Sequence, residues 1–294
     1  MFKDYLILLR IPQWIKNTFL FVPLLFSLNL FELSFLGKTI AGFFIFCLTS
    51  SIVYIINDIN DIEADRVHPV KKKRPLAAGK ITIKNAYTVV EILCIPVLIS
   101  LLFFDLKFAL LIFFYFLLNL FYSISFKHIV ILDIFSIAAG FMIRVISGAF
   151  IINVEISNWL ILTTMFISIF LAAMKRHSEL RLLINDREQN ISTRKVLSEY
   201  STYLTGQIST VAASAVVICY ALYTVSQRTV KVFGNENLIF TTPFVVFGIF
   251  RYMYLVYMND EGENTTQIMI RDVPMIVTVF LYIVTSILII YRLL

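Results

Sequence analysis

The sequence predicts an all-α membrane protein with about nine helices crossing the bilayer. Three observations carry that expectation. First, of the 294 residues, 59% are hydrophobic and only 15% are charged, against about 25% charged in ordinary soluble domains. A soluble fold cannot hide that deficit in a larger core, because it must still cover its surface; lipid as the solvent removes the difficulty. Second, the apolar residues fall in runs of about 20, the length that spans a bilayer as a helix. Third, the cations gather in alternate loops, as expected of a polytopic chain.

The nine runs are 14–31, 38–58, 82–103, 106–126, 129–152, 157–176, 204–226, 237–258 and 272–292. The first follows Met1-Phe2-Lys3-Asp4-Tyr5, which lacks a signal-peptide cleavage pattern, so it reads as a retained spanning helix. The second leads into a long polar loop over 59–81. Asp105-Leu106-Lys107 divides the third from the fourth, and Lys127-His128 the fourth from the fifth. The sixth ends at Lys175-Arg176 and opens another polar loop, 175–203. A short stretch with Arg228 and Lys231 parts the seventh from the eighth, and 259–271 parts the eighth from the ninth. Cys47, Cys94 and Cys219 each lie inside an apolar run without CxxC spacing, so they read as small buried hydrophobes.

An odd number of spans puts the termini on opposite sides. With the N-terminus in the cytoplasm, eighteen of the 25 Lys and Arg residues face that side. The other side keeps Lys38, Lys107, Arg228, Lys231 and Arg292, while Arg144 and Arg251 fall inside spans. The expectation is a multi-pass protein of the cell membrane, its N-terminus and long loops cytoplasmic and its C-terminus opposite. The net charge of +6 is then a signal of topology, and nucleic acid is not an expected partner. No linker or low-complexity segment divides the chain, so 1–294 reads as a single transmembrane domain. A homo-oligomer is compatible with this layout.

The polar chemistry sits at the cytoplasmic ends. If the second span continues helically through Asn57-Asp58-Ile59-Asn60-Asp61-Ile62-Glu63-Ala64-Asp65, then Asp58, Asp61 and Asp65 share a face, with Asn57 beside them. Three stacked carboxylates repel, and a divalent cation removes that cost. Mg2+ takes one or two carboxylates together with phosphate oxygens and water. Asn57, Asp58, Asp61 and Asp65 are thus the candidate Mg2+ ligands, and the three aspartates the candidate catalytic groups. The plainer alternative is a solvated acidic helix end. The stretch from Arg66 to Gly79 adds cations suited to a polyphosphate. Two of Lys71, Lys72 and Lys73 suit lipid headgroups. Arg74, just before the Ala77-Ala78-Gly79 turn, is the substrate-binding candidate.

Lys175, Arg176 and Glu179 can share one face at the end of the sixth span, either as a phosphate site or as a helix-end ion pair. Asp133 and Arg144 lie about three turns apart on the fifth span and point the same way, with Gly140 on the same stripe. An arginine at membrane depth is a functional-site candidate by default, its alternative being a structural ion pair. Lys16-Asn17 and the stretch from Tyr122 to His128 would reach the same mouth. P-loop, nucleophile-elbow and dinucleotide motifs are all missing from the sequence.

Asn57-Asp58-x-x-Asp61-x-x-x-Asp65 resembles the first signature of the UbiA-type intramembrane prenyltransferase superfamily. That resemblance implies a UbiA-type bundle of about nine transmembrane helices with a cytoplasmic, Mg2+-bound diphosphate site. Several segments are most similar to the superfamily's phosphoribosyltransferase branch. They are Pro12-Gln13-Trp14-x-Lys16-Asn17, the Asn57-to-Gly79 stretch with His68-Pro69, Lys127-His128 with Leu132-Asp133, and Gly140-Phe141-x-x-Arg144. Lys175-Arg176-x-x-Glu179-Leu180, Gly262-Glu263 and Arg271-Asp272 complete the set.

The superfamily usually carries a second aspartate-rich motif near the sixth span. Lys175-Arg176-x-x-Glu179 stands in its place, and base for acid disfavours a second metal and favours a second phosphate. The resemblance therefore implies Mg2+-dependent transfer of 5-phosphoribose from phosphoribosyl diphosphate to a polyprenyl phosphate, with release of pyrophosphate. Lys16, Asn17, Asn57, Arg74, Lys127, Asp133, Arg144, Lys175, Arg176 and Glu179 would surround the substrates. One alternative is a prenyltransferase moving a prenyl group from a prenyl diphosphate to an aromatic acceptor. Another is a membrane transporter, although a transport path needs polar groups through the full depth and only Arg144 is deep.

Overall fold

The computed structural model describes residues 2–67, 71–185, 195–259 and 271–292. The described residues form helices joined by turns, with no strand among them. The chain opens with α1 (Phe2–Leu8), a 3-10 segment (Ile11–Phe21) and α2 (Val22–Leu25). Next come α3 (Leu33–Asn60), α4 (Ile62–Val67), α5 (Ile83–Leu101) and α6 (Leu106–Ile124). α7 (Leu132–Ile151), α8 (Asn158–Asn185) and α9 (Thr202–Val225) follow. α10 (Gln227–Phe233), α11 (Thr242–Asn259) and α12 (Val273–Ile290) complete the order.

Eight helices among the described residues are long and apolar enough to cross a membrane: α3, α5 to α9, α11 with the turn before it, and α12. They coincide with eight of the nine expected runs. The first run differs, because the region expected as one helix over 14–31 is broken into shorter pieces. Pro12 and Pro23 lack the amide hydrogen that a helix interior needs, and each stands at the start of a new segment. Three of the spans start with a side-chain cap. Thr82, Ser201 and Asp272 accept from the amides of Asn85, Leu204 and Met275.

α7 lies at the centre, against α3, α6, α8 and the 3-10 segment, which also packs on α3. Gly148 permits this approach, since a Cβ there would collide with the Leu20 carbonyl. α8 packs along α9, while α11 packs on α12. α5 and α12 turn large side chains outward, among them Ile92, Ile95, Leu98 and Phe280, which suits lipid rather than water.

α3 and α8 have 28 residues each, about 42 Å of helix against roughly 30 Å of hydrocarbon. Both overshoot. Their C-terminal parts carry Asn57-Asp58 on α3 and Lys175 to Glu179 on α8.

Candidate active site

α3 stops at Asn60, Asp61 sits at its cap, and α4 restarts at Ile62. The expected helical face survives this break. The Asp61 amide donates to the Asn57 carbonyl at 2.9 Å, and the Asp65 amide to the Asp61 carbonyl at 2.8 Å. Asp58 and Asp65 are each only 3% exposed, so each needs a partner to offset its lost hydration. Arg74 Nη1 supplies one to both, at 3.1 Å from Asp58 Oδ1 and 2.6 Å from Asp65 Oδ2. Arg10 donates to the same Asp58 oxygen. Lys127 Nζ donates to Asp61 Oδ1 at 2.8 Å, and Asn57 Nδ2 to Asp61 Oδ2 at 3.1 Å. Ser123 donates to the Asn57 amide oxygen.

The loop that presents Arg74 is anchored by apolar packing. Leu76 and Ile81 are buried with Leu8, Ile55 and Ala86. Gly79 closes the turn at φ 70, a backbone position that favours glycine. Lys72 and Lys73 are exposed, as a headgroup contact requires. His68-Pro69 and Gly262-Glu263 lie outside the described residues.

A second cluster joins α7 and α8. Asp133 and Arg176 are both fully enclosed, with Arg176 Nε 3.0 Å from Asp133 Oδ2. The charges are close, but neither atom has an aligned hydrogen bond. Arg176 also donates to Glu179, and its Nη2 reaches the Tyr122 hydroxyl at 3.5 Å. Tyr200 donates to Asp133 Oδ1 at 2.7 Å and accepts from the Ile131 amide at 2.6 Å. Burial, aided by the bond to Asp133, pushes the Tyr200 hydroxyl up, so it remains a protonated donor. The Ile131 bond matters because Ile131 has φ 69, an outlying conformation for a β-branched residue. Arg176 thus faces two carboxylates, where the sequence suggests a phosphate, and it ties α7 to α8. Lys175, 37% exposed and 4.0 Å from Glu179, is the more open cation.

Adjacent residues of α6 link the two clusters. Tyr122 reaches Arg176, and Ser123 reaches Asn57.

Deeper in the bundle, Arg144 is 5% exposed and meets neutral oxygens. Its Nε donates to Asn17 Oδ1 at 2.7 Å, Nη1 to the Gly140 carbonyl at 2.9 Å and Nη2 to the Tyr115 hydroxyl at 2.7 Å. The guanidinium lies over the Tyr115 and Phe141 rings at 4.7 and 5.2 Å. No carboxylate pairs with it among the described residues. Lys16 is close enough for the charges of Arg144 and Arg10 to act on it. Asn17, next to Lys16 in the chain, therefore meets Arg144, whereas Lys127 joins the aspartates.

Sequence reasoning misses Arg10, Tyr115 and Tyr200. Arg10 carries a signal: it is a lone cation three residues before Gln13-Trp14, at the mouth end of an apolar stretch. Tyr115 and Tyr200 carry none, because nothing local distinguishes them among 14 tyrosines.

The donor chemistry fits Mg2+, with three carboxylates and an amide oxygen and neither sulfur nor imidazole. No three acidic, His or Cys side chains stand ready as a metal group among the described residues; the three carboxylates are paired with cations.

The profile of the UbiA prenyltransferase family matches residues 18–287. The chain belongs to this family. It is a UbiA-type transferase and a multi-pass membrane protein, which removes the transporter alternative. One relative is the decaprenyl-phosphate phosphoribosyltransferase of Mycolicibacterium smegmatis. It is 35% identical over 222 residues, covering 74% of this chain and 69% of the relative. The decaprenyl-phosphate phosphoribosyltransferase of Mycobacterium tuberculosis is 31% identical over 268 residues, covering 90% and 86%. A UbiA homolog from Archaeoglobus fulgidus, solved bound to DMAPP and Mg2+, superposes with a TM-score of 0.70 at 17% identity. That match covers 98% of this chain and 99% of the homolog, and it shows a UbiA fold.

Proposed function

We propose that this UbiA-type transferase moves 5-phosphoribose from phosphoribosyl diphosphate to a polyprenyl phosphate and releases pyrophosphate. The observation that carries the reading is the 31% to 35% identity to decaprenyl-phosphate phosphoribosyltransferases over most of the chain. The replacement of an acidic second motif by Lys175-Arg176-x-x-Glu179 supports it.

Asp58, Asp61, Asp65 and Asn57 would hold Mg2+, which, when bound, offsets charge on the diphosphate leaving group. Arg74 and Lys127 stand at the same oxygens and would bind diphosphate directly. Lys16 and Arg144, the latter bonded to Asn17, supply cations without a paired acid among the described residues and would serve the other phosphate. Lys175 would add charge at the mouth, while Asp133, Arg176 and Glu179 hold α7 and α8 in place. A lipid phosphate oxygen attacks the anomeric carbon. The anomeric C–O bond breaks, and its electron pair leaves with pyrophosphate. The attacking oxygen is already ionised at neutral pH, so the step needs no dedicated general base. The site faces the cytoplasm in this reading, on the side that holds most of the Lys and Arg residues, and the C-terminus lies opposite.

The test uses purified protein in detergent with polyprenyl phosphate, phosphoribosyl diphosphate and Mg2+. One pyrophosphate and one lipid-linked phosphoribose per turnover are expected. No product from these substrates, with turnover of a prenyl diphosphate and an aromatic acceptor instead, would overturn the proposal in favour of prenyl transfer.

A further inference from the structure

Each of the four side chains that would hold the metal already accepts a hydrogen bond from a protein donor. Asp58 accepts from Arg10 and Arg74, Asp65 from Arg74, Asp61 from Lys127, and the Asn57 amide oxygen from Ser123. Three carboxylates thus face three cations, and the cluster is balanced in charge. The cations come from three separate places: the α1 to 3-10 junction, the loop before α5, and the α6 to α7 turn. A divalent ion entering alone would add two charges to this poorly hydrated cluster. It would also strip the counter-ions from two guanidinium groups and an ammonium, which is unfavourable at low dielectric. A metal carried in on a diphosphate brings anions for the displaced cations. The planar fork of arginine suits phosphate as well as carboxylate.

We propose that Arg10, Arg74 and Lys127 are exchangeable counter-ions. Metal and diphosphate enter as one complex, the metal takes the carboxylates, and the three cations move to phosphate oxygens. Arg10 thereby becomes a substrate-binding residue. Its backbone supports this independently: φ 52 and ψ 43 form a left-handed conformation, strained for a residue with a side chain. Its guanidinium also lies 4.9 Å from the Tyr54 ring centroid, a contact that keeps it aimed at the site once Asp58 is given up. Arg10 and Arg74 keep 21% and 26% of their side chains exposed, an open side from which phosphate can approach.

The exchange rests on the metal–diphosphate reading above, but not on which group the diphosphate carries. The test therefore uses inorganic pyrophosphate, which is common to phosphoribosyl and prenyl transfer, and Mn2+ as the metal probe. Metal retained with the full-length protein in detergent is measured by equilibrium dialysis. Wild-type protein is expected to hold Mn2+ weakly alone and about tenfold or more tightly with pyrophosphate, within the usual range of coupling between ligands. Arg74→Gln and Arg10→Gln are expected to tighten Mn2+ retention without pyrophosphate and to weaken the help that pyrophosphate gives. Wild-type protein holding Mn2+ equally well with and without pyrophosphate would overturn the exchange. So would both variants holding Mn2+ alone no better than wild type. Unchanged retention in Asp61→Asn would remove the metal site itself and the exchange with it. Failure of the phosphoribosyl assay alone leaves the exchange standing.

Discussion

Asp133 and Arg176 are both fully enclosed and lie 3.0 Å apart, so neither side chain has water to fall back on. Removing one partner strands the other, and a halved buried pair costs about 3–5 kcal/mol. Asp133→Leu leaves Arg176 with Glu179 as its remaining acid; Arg176→Leu leaves the Asp133 carboxylate with Tyr200. We expect each single variant to lower the melting temperature in detergent clearly, and Arg176→Leu to do so more. The double variant, which buries no charge at that point, is expected to recover most of the loss. A normal melting temperature in Arg176→Leu combined with weakened substrate binding would instead make Arg176 a ligand. At this scale the sequence is informative about residue type and poor about partners. The spacing of Asp58, Asp61 and Asp65 is readable because helical periodicity links residues near in sequence. Arg10 pairs with Asp58 across 48 positions, and no local period records such a pairing.

Helix positions follow from the length of apolar runs, and eight of nine expected spans appear as long helices. The first does not, because hydropathy measures transfer to lipid and is blind to hydrogen-bond register. The evidence against one helix lay in Pro23, inside that run, which a hydropathy window averages over yet which breaks the backbone pattern. Packing between elements tests the same region. Gly148 has the Leu20 carbonyl in the space where a Cβ would sit, whereas Gly37 has nothing within 4 Å. Gly148→Ala is expected to destabilise by about 1–3 kcal/mol, the usual range for overpacking, and Gly37→Ala to leave the melting temperature nearly unchanged. Equal effects from the two would mean that α7 does not meet the 3-10 segment this closely.

For the whole molecule, the decisive arrangement is the gathering of chemistry at one end of the bundle. Glu155 stands beyond the far end of α7, 87% exposed and paired with Arg228 at 2.9 Å. Lys72 stands in the 3-10 turn Lys71–Lys73, which packs on α4 at the other end. In the proposed topology these ends lie on opposite sides of the membrane. In a background without Cys47, Cys94 and Cys219, Lys72→Cys is expected to react with an impermeant maleimide only in inside-out vesicles. Glu155→Cys is expected to react only in right-side-out ones. The reverse labelling would turn the protein over and move its soluble substrate to the other compartment.

The 3-10 segment Ile11–Phe21 has a consequence for reach. Its 11 residues rise about 2.0 Å each and extend roughly 22 Å, where an α-helix of the same residues would extend about 16 Å. Arg10 stands just before it, Asn17 holds Arg144 from within it, and Leu20 lies under Gly148 near its end. Only rewinding all 11 residues as α-helix would shorten the segment by about 5 Å. The longer 3-10 form is what lets one short segment join Arg10 at the mouth, paired with Asp58 and lying over Tyr54, to Leu20 under Gly148.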